Sequence, residues 1–406
     1  MHGSSRHVTS RLSVRTSRTR SRLVLGVVVA ATLATAACSS PASTTGDSGS
    51  TAGSGAGTAP GQGGTAVGFI FVGPKTDFGY NQAAYEGSQE VAKAYPDLKV
   101  LTQENVPEDD NAARVMEGMI DRGAKIIFAT SYGHLQAAQK VTAAHPDVVV
   151  VQQGNVITGE IGPNLGTYFG TVYEPVYLAG MAAGASTKSN KLGYVYAFGI
   201  PQTVANINAF ELGAQATNPE AKTYVVNTSS WCDPQKQKTA TDSLISQGVD
   251  VITQHQDCTD TIIKATEAAG AYTVGYHADA SSLAPKGWLT GSQWKWGPLY
   301  NDIVKTALDG KFTGSAYNAN YRVGMQTGIN PIEQSPYGPA VTQETKDAIA
   351  KALETIKTPG NSVFTGPIKD QDGAVKIAEG TALQYGDPGI EGMDWFVEGV
   401  VGTIAK

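Results

Sequence analysis

Residues 67–87 read "VGFIFVGPKTDFGYNQAAYEG". Large apolar residues alternate with glycine up to Val72, the pattern of a buried strand. A helical pattern begins near Tyr80. The turn between them carries Asp77, Phe78, Tyr80 and Asn81. A strand, a turn and a helix in that order open a parallel α/β unit. Phosphate-binding turns at such a position use G-x-x-x-x-G-K-[ST] or G-x-G-x-x-G, and neither occurs here. Lys75 lies in the turn without a glycine nest and reads as a solvated charge. A turn with rings and amide or carboxyl groups suits a flat, uncharged target.

The unit repeats along the chain. Strands are expected at Val67–Val72, Lys99–Thr102, Lys125–Ala129 and Val148–Gln152, with helices at Tyr80–Ala94, Asn111–Arg122 and about His134–Ala144. A second series has strands at Leu192–Tyr196, Thr223–Val226, Val251–Thr253 and Thr273–Tyr276, with helices at Asn206–Thr217, Gln235–Gln247 and Thr259–Ala269. "MEGMIDRGAKIIFATSYGHLQAAQKV" (116–141) and "TDSLISQGVDVITQHQDCTDTIIKAT" (241–266) share one plan: helix, glycine, strand, polar loop, helix. Gly123 and Gly248 each read as a helix stop in the left-handed conformation. Two similar α/β lobes follow, and ligands of parallel sheets sit beyond the carboxyl ends of the strands.

The ends and composition narrow the setting. Residues 1–22 carry six arginines and no acid. An apolar run "LVLGVVVAATLATAAC" then ends at Cys38. The 15 residues before Cys38 fall short of the roughly 20 needed to span a bilayer. The pattern is a leader, 1–37, with small residues at the cleavage point. Residues 38–64, rich in Ser, Gly, Thr and Ala, read as a flexible linker. Without the leader the formal charge moves from −6 to −12. An acidic body with no basic stripe argues against nucleic acid.

Catalytic and metal readings find little. No G-x-S-x-G occurs, and no nucleophile is nominated for His255 or His277. The expectation is no enzyme and no cofactor. Cys232 and Cys258 follow neighbouring strand ends and form a disulfide candidate. Two free thiols, or a zinc site with His255, Asp257 and His277, are the alternatives. Recognition of a planar molecule remains. Tyr80, Trp231, Trp294 and Trp296 supply rings for stacking, and Asn81, Gln136, Gln256, Asp257 and Asp279 supply edge partners.

The motifs "FVGPKTDFGYN", "ENVPED", "IFATSYG", "NTSSWCDP", "VGYHAD", "LTGSQWKWGPLY" and "MDWFVEGVVG" carry a family resemblance over nearly all of residues 65–406. The chain resembles the basic membrane protein family of lipid-anchored, purine-nucleoside-receptor-like binding proteins of ABC importers, in its adenine-type branch. "TAAC" resembles a lipobox, which implies lipidation at Cys38 and a place on the outer face of the cell membrane. The resemblance implies an α/β fold of the periplasmic-binding-protein type I: two Rossmann-like lobes with parallel sheets, joined by a multi-strand hinge. The first lobe is expected at 65–187 with later segments from about 315–375. The second is expected at 188–312 with the C-terminal segment 376–406. The resemblance also places Tyr80 on the base, Asp77 or Asn81 as its polar partner, Tyr132 and Trp231 as further rings, and Asp279 as an acid of a strand-end loop. Asp257 and Trp296 complete the expected ligand set. His277 stands where that loop usually has its first acid. Gln136 lies near where nucleoside-binding members have an Asp. Both departures tilt toward a free base, and Cys232 and Cys258 suggest a staple beside the cleft. The expected protein is a monomer that hands a purine to a membrane permease. A receptor for a sugar or autoinducer, or a sensor uncoupled from transport, is the rival reading.

Overall fold

The computed structural model describes residues 58–405. The leader, the lipidation at Cys38 and most of the expected linker lie outside the described residues. The linker's last residues are described, and they lie on the body: the Gly61 N–H donates to the Asp147 carbonyl at 3.0 Å, and Gln62 Nε2 donates to the Leu308 carbonyl at 3.3 Å. At a φ of +88°, with Ala307 Cβ 2.8 Å from where a Cβ would stand, position 61 admits only glycine.

The first series of elements is β1 (Ala66–Phe71), α1 (Tyr80–Ala94), β2 (Lys99–Gln103), α2 (Asp110–Ile120), β3 (Ala124–Thr130), α3 (Leu135–Ala144), β4 (Val149–Gln153) and β5 (Leu165–Gly170). The second is α4 (Tyr173–Ser186), β6 (Lys191–Tyr196), α5 (Pro201–Thr217), β7 (Lys222–Asn227), α6 (Pro234–Ser246), β8 (Val251–His255), α7 (Asp260–Ala268), β9 (Tyr272–Gly275) and β10 (Trp288–Trp294). The remainder is α8 (Gly297–Leu308), β11 (Asn320–Val323), β12 (Ile332–Gln334), α9 (Gln343–Lys357), β13 (Ile368–Lys369), β14 (Val375–Ile377), α10 (Pro388–Glu391) and β15 (Val400–Val401).

Six parallel strands make the first sheet, in the order β11-β5-β4-β3-β1-β2. Seven make the second, β12-β10-β9-β8-β6-β7-β15, with only β12 antiparallel. β1 is buried along its whole length because helices cover both faces of its sheet. Val67, Phe69 and Phe71 point into one apolar cluster, while Ala66 and Ile70 point into the other. Phe69 stacks on Phe128 of β3 with ring centroids 4.5 Å apart. Gly123 and Gly248 end α2 and α6 with φ of +92° and +82°, so both helix stops are left-handed, as the repeat implied.

The chain crosses between lobes three times: from β5 to α4, from β10 to α8 and from β11 to β12. These crossings differ from the boundaries expected near 187 and 312. α4 packs on α5 and β10 of the second lobe, and α8 packs on α1 of the first. Of the late segment assigned to the first lobe, β11 joins the first sheet, but β12 joins the second and α9 packs on α4. The reason is geometric. A helix that follows the last strand of one sheet can bury its apolar face against the other sheet, and sequence periodicity does not say which. The fold is α/β of the periplasmic-binding-protein type I.

Candidate functional site

The opening turn is organised by Asp77. Its carboxylate accepts from the backbone N–H groups of Gly79 (2.9 Å), Asn81 (3.1 Å) and Gln82 (2.9 Å), and from Asn81 Nδ2 (2.8 Å). A carboxylate at the first turn of a helix satisfies donors that have no intrahelical partner and suits the positive end of the dipole. Asp77 therefore builds the start of α1, and its acceptors are spent on that task. Asn81 is buried at the same turn. Its Oδ1 accepts from the Gly73 N–H at 3.0 Å, and its Nδ2 also donates to Asp257 Oδ2 at 3.1 Å, across to the second lobe.

More bonds join the lobes at this point. Thr259 donates its N–H to the Asp77 carbonyl (3.1 Å) and its hydroxyl to the Phe78 carbonyl (2.8 Å). The Trp231 indole N–H reaches Glu108 Oε2 at 3.4 Å, and Glu108 Oε1 accepts from the Ser131 hydroxyl and the Gly133 N–H. The strand-end loops hold strained backbone as well: Phe78, Ser229, Cys258 and His277 all have φ between +51° and +72°. Non-glycine residues in that region persist only where their surroundings dictate it, and they gather at binding loops.

Between the lobes lies a narrow cavity of about 20 Å³, so anything larger than a water enters only as the lobes part. Tyr80, Tyr132 and Trp231 line it, with Asp257, His255 and His277 as its ionisable polar groups; Phe169, Ser131 and Gln202 complete much of the wall. Among the described residues, no lysine or arginine lines it. Burial raises the Asp257 carboxyl well above the usual range, and the nearby Asp77 pushes it further. The His255 imidazole is pushed down to about 3 by burial, and that of His277 is also lowered by burial. Both are neutral. His277 Nδ1 accepts from Trp294 Nε1 at 2.8 Å, and His255 Nδ1 accepts from Asn206 Nδ2 at 3.2 Å. The neutral His277 ring then carries its proton on Nε2, while the His255 ring also lies 3.4 Å from the Tyr276 hydroxyl. The cavity wall thus combines aromatic faces, two neutral imidazoles and one carboxyl group.

Four of the expected site residues are on this wall: Tyr80, Tyr132, Trp231 and Asp257. Asp77 and Asn81 lie behind it, as supports. Trp296 is buried in the core, stacked on Trp294 (4.5 Å) and Tyr300 (5.8 Å). Asp279 is exposed and accepts from the Ser281 N–H at 3.0 Å, so it caps a turn. Gln136 is exposed on α3. Gln256 is buried against Gln237 and Thr228. Cys232 and Cys258 are joined in a disulfide, with Cα atoms 5.3 Å apart, so neither is a free thiol or a zinc ligand. It ties the Trp231 loop to the Asp257 loop, whose N–H donates to the Trp231 carbonyl at 2.8 Å. Sequence reasoning missed Phe169, Gln202 and the wall roles of His255 and His277. The period-2 run "LGTYFG" at 165–170 marks a strand end and could have pointed to Phe169.

The family model described as ABC transporter substrate-binding protein PnrA-like matches residues 65–361. The chain belongs to this family. A "Purine-binding protein BAB2_0673" of Brucella abortus is 34% identical over 82% of this chain and 92% of its own. A candidate ABC transporter glucose-binding protein, TsgA13 of Haloferax volcanii, is 32% identical over 90% of this chain and 88% of its own. The crystal structure of a solute-binding protein of an ABC transporter system from Aeropyrum pernix superposes with a TM-score of 0.63 at 17% identity, covering 75% of this chain and 92% of the other. That last likeness speaks for the fold alone. The family is described as one of substrate-binding proteins of ABC transporters. Among the described residues, no helix is long and apolar enough to cross a membrane.

Proposed function

We propose that this protein is a lipid-anchored, extracytoplasmic receptor of an ABC importer that binds a purine, base or nucleoside with an adenine-like ring, between its two lobes. One observation carries the reading: among the described residues, the cleft between the lobes is a ring-walled cavity with Asp257 as its lone carboxyl and no lysine or arginine. A purine suits it. Its faces stack on Tyr80 and Trp231, worth roughly 1–3 kcal/mol per base. A ring or amino N–H donates to the buried Asp257, which otherwise bears the cost of desolvation, and ring nitrogens accept from an imidazole N–H. The purine-binding relative supports the ligand class. The arginine-rich leader and "TAAC" at 35–38 support the anchor. Closure on the ligand changes the surface offered to a permease.

A sugar is the second reading, favoured by the relative named for glucose. Calorimetry on the ligand-stripped protein with adenine, guanine, hypoxanthine, adenosine and glucose separates the two. Heat from a purine, lost in Trp231→Ala, supports the proposal. Heat from glucose with silence from every purine overturns it.

A further inference from the structure

A larger cavity, of about 470 Å³, lies outside the first and shares three wall residues with it: Tyr132, Ile200 and Trp231. The second lobe supplies most of its wall, with Phe198 and Ile200 from the turn between β6 and α5, and Asn227 and Trp231 from the end of β7 and the loop after it. The first lobe adds Tyr132 and Glu108.

Phe198 is 38% exposed, yet the turn that carries it is pinned on two sides. The neighbouring Ala197 carbonyl accepts from Asn227 Nδ2 at 2.7 Å. The C-terminal segment closes on Gly199, where a Cβ would stand 2.5 Å from the Ala405 carbonyl oxygen, an approach that only glycine permits. The Ala405 N–H donates in turn to the Tyr196 hydroxyl at 3.0 Å. The Phe198 ring is thus held outward by its surroundings, edge-on to the Trp231 indole with centroids 5.0 Å apart. Trp231 is fixed from its own lobe, by the Asp257 N–H on its carbonyl at 2.8 Å and by the adjoining Cys232–Cys258 bridge. All these bonds lie within the second lobe, so the two rings form a ledge that persists when the lobes part.

Glu108 faces this ledge from the first lobe. Its Oε1 is taken by the Ser131 hydroxyl at 2.6 Å and the Gly133 N–H at 2.8 Å, while Oε2 has the long 3.4 Å contact with the indole N–H. Oε2 keeps acceptor capacity for a further donor. Two rings on one side and a carboxylate on the other suit a flat molecule with an N–H edge. Such a molecule enters the inner cavity of about 20 Å³ only when the lobes move, whereas the outer cavity already has the volume of an ordinary small-ligand pocket.

We propose that the outer cavity is an encounter site, where a purine ring first stacks on the Phe198–Trp231 ledge of the second lobe before it passes Trp231 into the cleft and the lobes close. The inference rests on the purine reading above and deepens it to an order of events: the second lobe takes the ligand first, and the first lobe meets it on closure. Phe198 lines the outer cavity and not the inner one, so it touches the ligand only in the encounter.

The test is stopped-flow tryptophan fluorescence on the ligand-stripped full-length chain with adenine and adenosine, for the native protein, Phe198→Leu and Phe198→Tyr. Leucine keeps apolar packing on the indole and removes the aromatic face, and tyrosine keeps that face. In the native chain the observed rate is expected to level off as ligand rises, as a filling encounter site followed by closure requires. Phe198→Leu is expected to raise the half-saturating concentration about fivefold or more, the size of one lost stack, with the dissociation rate unchanged. Phe198→Tyr is expected to match the native chain. A rate that climbs linearly with ligand, an unchanged half-saturation, or a dissociation rate that rises by the same factor overturns the encounter site and leaves the purine reading intact. No binding of either purine in parallel calorimetry overturns that reading and the encounter site with it.

Discussion

Asn81 Nδ2 stands 2.8 Å from Asp77 Oδ2 and 3.1 Å from Asp257 Oδ2, one amide holding two buried carboxyl groups that belong to different lobes. The amide supplies the donors that keep the two acids from facing each other bare. Asn81→Ala is expected to weaken ligand binding about tenfold or more, since a hydrogen bond to a charged group is worth about 1.5–3 kcal/mol. It also shifts the ligand-free molecule toward open lobes. Calorimetry checks the first expectation and small-angle scattering the second; an unchanged affinity and envelope would rule out the bridge as a closure device.

Asp257 makes ligand-free stability depend on pH. Its carboxyl is raised in the folded state, mainly by burial, so the folded protein holds this proton more tightly than the unfolded chain does. The penalty is absent below the ordinary aspartate value, about 4, and grows as pH rises from there toward the raised folded value. Asp257→Asn removes it. The melting temperature of the variant, relative to the native chain, is expected to climb between about pH 4 and neutrality. A constant difference across that range would mean that Asp257 ionises freely.

His255 acts in the opposite sense. Its folded value is pushed down to about 3, so the unfolded chain binds the proton first. Stability is full above the ordinary histidine value of about 6.5 and is lost as pH falls from there toward 3. His255→Gln is expected to flatten that acid limb in thermal melts. A limb that stays as steep would assign the loss to other groups.

The Cys232–Cys258 bridge closes a separation of 26 residues, and a loop of that size gives about 3 kcal/mol of stabilisation. Reduction, or Cys232→Ser with Cys258→Ser, is expected to lower the unfolding free energy by about that amount. Ligand affinity should fall too, because the bridge ties the Trp231 loop to the Asp257 loop. Denaturant titration with and without reductant, paired with calorimetry, reads both; lost stability with intact affinity would confine the bridge to a structural task.

Glu108 accepts the Trp231 indole N–H across the cleft at 3.4 Å, and both its partners on the first lobe are short. Glu108→Ala is expected to free the indole and weaken binding, with Trp231 fluorescence shifting to the red as the ring gains access to water. An unchanged emission maximum would show that packing on Phe198, 5.0 Å away, holds the indole unaided.

Much of this was legible from local pattern. The alternation in β1, the glycine stops at Gly123 and Gly248 and the repeated helix–strand unit depend only on neighbouring residues, and they determined the α/β class and its two lobes. Because ligands of parallel sheets sit at strand ends, the loops with Tyr80, Tyr132, Trp231 and Asp257 could be nominated without coordinates. Tertiary structure alone decided which side chain on those loops faces the cavity. Asp77 and Asp279 are both acids on strand-end loops, yet both serve backbone N–H groups, because a turn or helix start offers unpaired donors at closer range than any ligand. Trp296 had the composition of a stacking ring and became core, since α8 crosses to the other lobe and takes it along. Phe169, Gln202, His255 and His277 form wall only where two sheets and a hinge meet, and Arg322 finds Glu391 across 69 residues of chain. Such meetings depend on long-range packing, and periodicity along one chain carries no record of it.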